Sequence, residues 1–73
     1  MTYKVHIPPT PIPSPNSLWR HTNGNVYKVL HVANLDAEES RMREYPVTVV
    51  YQGPDGRIWA KPLEGFLASR TQA

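Results

Sequence analysis

Seven aromatic and basic side chains form the strongest chemical signal in the sequence. Trp and Tyr combine an apolar ring with a polar group, and Arg, His and Lys donate hydrogen bonds to phosphate or carboxylate. Together these residue types can bind a nucleotide-like molecule or an extended peptide. The predicted ligand-binding set is Trp19, Arg20, His21, Tyr27, Tyr51, Trp59 and Lys61.

A hydrophobic core is the competing interpretation for part of this set. For Tyr27, Tyr51 and Trp59 we favour the core, with Trp59→Ala then costing about 3 to 5 kcal/mol. Arg20 and Lys61 either cover the rim of that core or bind a ligand, and the residue types leave this choice open. Trp19 stands at the start of the folded region, so we expect its fluorescence to report on stacking.

Residues for covalent or metal chemistry are scarce. The chain has no Cys, and its three histidines, His6, His21 and His31, are too far apart for a compact zinc motif. The adjacent acids Glu38 and Glu39 point in different directions in a strand or a helix, which disfavours a paired acid and base. The sequence therefore predicts a binding protein with no metal, no cofactor and no enzymatic activity.

Length and charge limit the classes of function further. Seventy-three residues make one small domain, and a net charge of +2 without a basic run is weak for a nucleic-acid binder. The longest apolar stretches are far shorter than the roughly 18 residues of a membrane span, and the N-terminus lacks a signal-peptide pattern. We expect the protein to reside in the cytoplasm.

Proline dominates the N-terminal part of the chain. Five prolines between Pro8 and Pro15 predict an extended polyproline II segment over residues 7–16, so residues 1–16 form an arm. The spacing within residues 8–11 also fits a PxxP ligand. We favour a stiff leader that packs on its own domain or on a neighbouring subunit. In a homo-oligomer, Ile7 and Ile12 would be buried against the neighbour.

Short β-type runs follow the arm and must position the aromatic and basic residues. Strands are predicted at 18–22, 25–33, 47–52 and 57–61. Asn23-Gly24 predicts a type I′ hairpin turn, and Gly53-Pro54-Asp55-Gly56 predicts a second turn.

The remaining segments connect or end these strands. Residues 34–45 read as a solvated loop with some helical character, residues 63–67 as one helical turn, and residues 69–73 as a frayed tail. The predicted fold is all-β: a small antiparallel SH3-like barrel over residues 17–68, with the proline-rich arm and a short C-terminal helical turn. An OB-type barrel is the second choice.

The order of these residues resembles the DUF1653-type small domains of bacteria and their phages. The resemblance covers roughly residues 18–68. It implies an SH3-like barrel without established enzyme activity, and a phage-encoded accessory protein. The residues that carry it are Trp19-Arg20-His21, Gly24 to Val29, Ala33, Val49-Val50-Tyr51, Gly56, Trp59, Lys61-Pro62-Leu63 and Phe66. The family often has Arg where Lys61 stands, and usually a shorter acidic segment than residues 34–45.

Three functions remain open at this point. The first is sequestration of a small anionic, nucleotide-like ligand, as an antagonist of host defence that acts in a bacterial cell. The second is binding to a host protein through the arm or through Arg41 and Arg43 in the loop. Nucleic-acid binding ranks third because the charge is modest. Fold analogy does not choose among them.

Overall fold

One antiparallel sheet and one short helix make up the part of the chain that the structure describes. The computed structural model describes residues 12–73, so the predictions for the PxxP segment and for burial of Ile7 lie outside the described residues. The sheet has five strands in the order β4-β3-β2-β1-β5. The strands are β1 (Leu18–His21), β2 (Val26–Ala33), β3 (Thr48–Gln52), β4 (Ile58–Pro62) and β5 (Arg70–Gln72), and the helix is α1 (Leu63–Ala68).

The first four strands and the helix confirm the all-β prediction within a residue or two at each end. The predicted frayed tail is wrong, because Arg70–Gln72 pairs with β1 as a fifth strand. The amide of Ala73 extends this pairing by donating to the carbonyl of Leu18 over 2.9 Å. The C-terminal residues therefore belong to the folded domain.

Both hairpins turn through a three-residue loop with the same geometry. Gly24 and Gly56 have φ of +93° and +86°, and each donates its N–H to the carbonyl three residues earlier. Asn23 and Asp55, just before these glycines, accept the N–H two residues later at 2.8 and 3.0 Å. A type I′ turn requires a positive φ at Asn23 as well as at Gly24. Among residues 12–73, the non-glycine residues with positive φ lie outside this turn, so the type I′ prediction at Asn23-Gly24 is wrong. The loop is instead the three-residue type that ends in a left-handed glycine.

A bulge in β2 explains why both faces of this strand looked apolar in the sequence. Its pairing with β3 shifts between Val29 and His31. An extra residue reverses the alternation of side chains, so Val29 and Val32 both contribute to one core. That core consists of Trp19, Val29, Val49, Tyr51, Leu63 and Phe66.

The loop over residues 34–47 is largely exposed, whereas the end of the arm packs against the sheet. Glu39–Arg41 forms a single 3₁₀ turn without a buried residue, as the helical propensity of this loop suggested. Pro13 is buried, and Asn16 donates its N–H to the carbonyl of Val29 over 2.7 Å. The last residues of the arm thus attach to β2 of their own domain. Ile12 is 47% exposed.

No helix among residues 12–73 has the length and apolar character needed to cross a membrane.

Candidate functional site

Strand register brings most of the predicted ligand-binding residues to one face of the sheet. Trp19 lies opposite Tyr27, Tyr51 opposite Trp59, and Val49 opposite Lys61. Directly opposed residues project from the same face, and so do residues two apart on a strand. His21 therefore joins this face, and Arg20 alternates to the other one.

Trp19 belongs to the core of this face. Its side chain is 6% exposed and meets Phe66 edge-on, with ring centroids 5.5 Å apart. The indole N–H donates to the Ser17 hydroxyl over 3.0 Å, so its polar group already has a partner. The expectation that Trp19 reports on ligand stacking is therefore wrong, because no ring face is open to a ligand.

Trp59, in contrast to Trp19, is 48% exposed. It lies on β4, an edge strand, so Tyr51 on β3 covers one side and no further strand covers the other. Our interpretation of Trp59 as core is wrong for this reason. Tyr51 is buried as expected, and Tyr27 is half-buried and packs against the core.

Arg70 is the one buried charged residue of the described chain, at 7% exposure. Its guanidinium carbon lies 4.8, 4.6 and 4.9 Å from the ring centroids of Tyr27, Tyr51 and Phe66. One nitrogen donates to the Tyr51 hydroxyl over 3.3 Å, and another donates to Ser69. The buried Nε has no hydrogen-bond partner. Within residues 12–73 the ion pairs are Arg41–Glu44 and Arg57–Asp55, so Arg70 has no carboxylate partner there.

Arg70 and the sequence-predicted aromatic residues share a concave surface, which we call the aromatic cleft. Its volume is about 380 Å³. The rings of Tyr27 and Tyr51 stand edge-to-face at 5.5 Å, and Trp59 forms the exposed side. The complete lining is Asn25, Tyr27, Tyr51, Pro54, Asp55, Trp59 and Arg70.

Asp55 is the acidic residue in this lining. Its carboxylate accepts the backbone N–H of Arg57 and lies 3.5 Å from the Arg57 guanidinium. Both interactions are within its own turn, so part of the negative charge is compensated there. Arg70 is the cation of this lining, and no acidic side chain of the described chain forms an ion pair with it.

A second concave surface, the β1–β5 cleft, contains two more of the predicted residues. Arg20 and His21 line it together with Arg70, and its volume is about 390 Å³. The His21 ring contacts Tyr27 edge-on at 6.2 Å, and its Nδ1 accepts the backbone N–H of Asn23 over 2.9 Å. Arg70 thus lies between the two clefts and contributes to both.

Lys61 shares the face of Trp59 but lines neither cleft. Its stem runs beside Gly65 in α1: a Cβ on Gly65 would lie 3.2 Å from the Lys61 Cε. Glycine at this helical position therefore leaves space for the lysine stem. Within one chain, Lys61 is separated from the other predicted ligand-binding cations.

Arg41 and Arg43, the predicted partner-binding residues, lie in the exposed loop. Arg41 stacks over Tyr45 at 5.0 Å and pairs with Glu44 at 3.7 Å. It also lines a further concavity, the loop cleft of about 630 Å³, which includes Leu35 and Tyr45. Arg43 is exposed and does not line that cleft.

Arg70 is the site residue that sequence reasoning missed. The segment Ser69–Ala73 carries only Thr71 as a β-favouring residue, so its pairing with β1 had almost no local signal. No group of three or more His, Asp or Glu side chains among residues 12–73 is placed to hold a metal ion. A comparison of the chain with family models, with curated proteins and with solved structures finds no match in any of the three.

Proposed function

We propose that the protein is a non-enzymatic binding module that holds a small anionic, ring-bearing ligand in the aromatic cleft. The observation that carries this proposal is Arg70, a buried guanidinium with no acidic partner in the described chain and with an unpartnered Nε. Tyr27, Tyr51 and Trp59 supply the ring surfaces around it.

A buried charge needs compensation. Removing an ion from water costs several kcal/mol, and buried arginines are normally paired with a carboxylate. The three ring faces around Arg70 return part of this energy through cation–π attraction. They offer no acceptor for the Nε–H. A phosphate or carboxylate in the cleft would supply the missing negative charge close to the guanidinium, a planar group well suited to bind such anions.

Trp59 explains why the ligand should also carry a flat ring. Half of its side chain is exposed beside a charged site, although a large apolar surface favours burial. An aromatic or heterocyclic ring stacked on Trp59 would cover this surface while the anion reaches Arg70. A nucleotide-like molecule combines these two features and fits a cleft of about 380 Å³.

The proposal also covers the type of barrel, the family and the cellular location of the protein. The bulge in β2 and the α1 contacts with β3, β4 and β5 support a curled, partly open barrel of the SH3-like kind. The order of motifs from Trp19 to Phe66 supports membership of the DUF1653-type family. On this basis we assign the protein to the bacterial cytoplasm as a phage accessory protein that sequesters a host nucleotide signal.

Titration of a nucleotide panel tests the proposal. Trp59 fluorescence, measured in a Trp19→Phe background, should show saturable quenching by at least one linear or cyclic nucleotide. Arg70→Met should weaken that binding about 10- to 100-fold, the value of one or more charge-assisted hydrogen bonds. Arg43→Ala removes an exposed arginine outside the cleft and is the matched control, with unchanged affinity.

Folding must be separated from binding in this experiment. Methionine fills the space of the arginine stem without a charge, so Arg70→Met should keep the fold and its thermal stability. Absence of quenching across the panel would reject the proposal. If Arg70→Met unfolds, Arg70→Gln, which also lacks the charge, takes its place, and unchanged binding by a folded Arg70→Gln variant would assign Arg70 a purely structural role.

Binding to a host protein is the second candidate function, and one observation favours it. Leu35, Met42 and Tyr45 are 50, 40 and 41% exposed in one loop, beside Arg41. Apolar and Arg side chains of this kind anchor protein interfaces. A Leu35→Ser, Met42→Ser double variant should then lose a partner that Arg70→Met retains. Binding to single-stranded nucleic acid, the third candidate, would show a steep dependence on salt.

A further inference from the structure

The turn between β3 and β4 places a carboxylate in the aromatic cleft. A Cβ on Gly53 would lie 3.2 Å from Cε2 of Tyr27 and 3.3 Å from Oδ1 of Asp55. The Tyr27 ring and the Asp55 carboxylate therefore meet beside Gly53, and both line the cleft together with Arg70. A carboxylate only accepts hydrogen bonds, and a guanidinium only donates them. The cleft thus contains two polar groups with opposite requirements.

The geometry of the turn does not require the negative charge of Asp55. In the hairpin between β1 and β2, Asn23 stands at the equivalent position, and its Oδ1 accepts the backbone N–H of Asn25 over 2.8 Å. Asp55 accepts the backbone N–H of Arg57 through the same type of atom over 3.0 Å. In both loops the next residue is a glycine with positive φ. Because an amide fulfils this role in the first hairpin, the charge at position 55 needs another explanation.

The ion pair between Asp55 and Arg57 explains this charge only weakly. Nε of Arg57 lies 3.5 Å from Oδ2 of Asp55, and the two side chains are 74 and 57% exposed. Exposed pairs of this kind contribute little to stability. An ionised carboxylate has about four lone-pair sites, and the backbone N–H of Arg57 occupies one of them. Both oxygens of Asp55 can therefore still accept a hydrogen bond from a ligand.

The strand register places this carboxylate within reach of a ring on Trp59. Tyr51 lies opposite Trp59, and Gly53 follows Tyr51 by two residues, so the turn begins roughly 7 Å from this pair on the same face. The edge of a base stacked on Trp59 can then meet Asp55, and that edge must donate hydrogen bonds. Guanine carries two neighbouring donors, its N1–H and its 2-amino group, which match the two oxygens of one carboxylate. Adenine and cytosine present one amino group beside an acceptor nitrogen, and uracil presents one N–H between two carbonyls.

We propose that the aromatic cleft prefers guanine nucleotides, and that Asp55 determines this preference by accepting the N1–H and the 2-amino group of the base. The base stacks on Trp59, and its phosphate reaches Arg70. Each of the two charged groups in the cleft lining then has a ligand group of the opposite requirement. This inference rests on the proposed function, since it names the class of ligand that the same cleft holds.

Nucleotides that differ in one group of the base test this preference. Guanosine and inosine monophosphates share the ribose, the phosphate and the N1–H, and only the guanosine nucleotide has the 2-amino group. Calorimetric titration of the wild type should show that guanosine monophosphate binds about 10-fold more tightly than inosine monophosphate, the value of one hydrogen bond to a charged group. Adenosine monophosphate lacks the N1–H donor and should also bind more weakly than guanosine monophosphate.

Asp55→Asn separates the carboxylate from the turn. The variant has at position 55 the residue type that Asn23 provides in the other hairpin, so its Tm should stay close to that of the wild type. It should bind guanosine monophosphate about 10-fold more weakly, and its preference over inosine monophosphate should disappear. Asp36→Asn removes an exposed carboxylate outside the aromatic cleft and is the matched control, with the wild-type preference retained.

A carboxylate that served only the turn would give a change of the opposite sign. Its negative charge would repel the phosphate of any nucleotide, so Asp55→Asn would strengthen the binding of all three nucleotides to a similar degree. That result, or equal affinity of the wild type for guanosine and inosine monophosphates, would overturn this inference and leave the proposed function in place. If no nucleotide of any base binds to the wild type, both the inference and the proposed function are wrong.

Discussion

The two tryptophans should differ sharply in their contribution to stability. Trp19 is 6% exposed and packs edge-on against Phe66, whereas Trp59 is 48% exposed on an edge strand. Replacing a buried Trp by Ala costs about 3 to 5 kcal/mol, because apolar contacts are lost and a cavity remains. We expect Trp19→Ala to fall in this range.

The value for Trp59 follows from its smaller burial. A Trp side chain buries about 200 Å² when fully enclosed, and about half of that is buried here. At about 25 cal/mol per Å², and with the unfolded chain already partly compact, Trp59→Ala should cost at most about 2 kcal/mol. In a domain of this size, 1 kcal/mol lowers the Tm by about 4 to 8 °C, so the two variants should melt at clearly different temperatures.

Circular dichroism is the suitable assay, since both substitutions alter the fluorescence. Urea and thermal unfolding should rank the proteins as wild type, Trp59→Ala and then Trp19→Ala. Trp19→Phe keeps an aromatic ring against Phe66 and should lose less than Trp19→Ala, which makes it the control for packing. Equal destabilisation by Trp19→Ala and Trp59→Ala would contradict the assignment of core and cleft.

Three further predictions follow from single contacts. Gly24→Ala and Gly56→Ala should each lower the free energy of unfolding by about 1 kcal/mol or more, because φ of +93° and +86° strains any residue with a Cβ. Urea titrations measure this change, and unchanged midpoints would contradict the left-handed conformation of the two glycines. Hydrogen exchange followed by NMR should show protection of the Ala73 amide, which donates a hydrogen bond to the carbonyl of Leu18. Exchange at the rate of an unstructured peptide would contradict the pairing of β5 with β1. Arg41→Ala should change the Tm little, since its ion pair with Glu44 is exposed; a fall above 10 °C would show a structural role for the loop.

Local residue types were sufficient to predict most of the fold. β-branched and aromatic residues marked β2 and β3, and Gly24 and Gly56 marked the ends of both turns. The turn type was missed because Asn-Gly occurs in more than one loop geometry, and the pairing across the sheet decides between them. β5 was missed because its pairing with β1 joins residues about 50 positions apart, and nothing local in Ser69–Ala73 encodes it.

The candidate site was predictable in its residue types and not in its arrangement. The observed strand register brings Tyr27, Tyr51 and Trp59 to one face. Which of these rings is covered depends on the strand order, since an edge position exposes Trp59 and a central position buries Tyr51. The position of Arg70 depends on β5, so the cation that best explains the cleft could not be found from the sequence.

Calorimetric titration of the wild type and Arg70→Met with the nucleotide that quenches Trp59 is the most direct test of the account. The buried guanidinium of Arg70 lines the aromatic cleft and has no carboxylate partner among residues 12–73, which predicts saturable binding by the wild type. It predicts affinity at least about 10-fold weaker in Arg70→Met, at unchanged thermal stability. Equal affinity of the two folded proteins would contradict the claim that Arg70 receives an anion in the cleft.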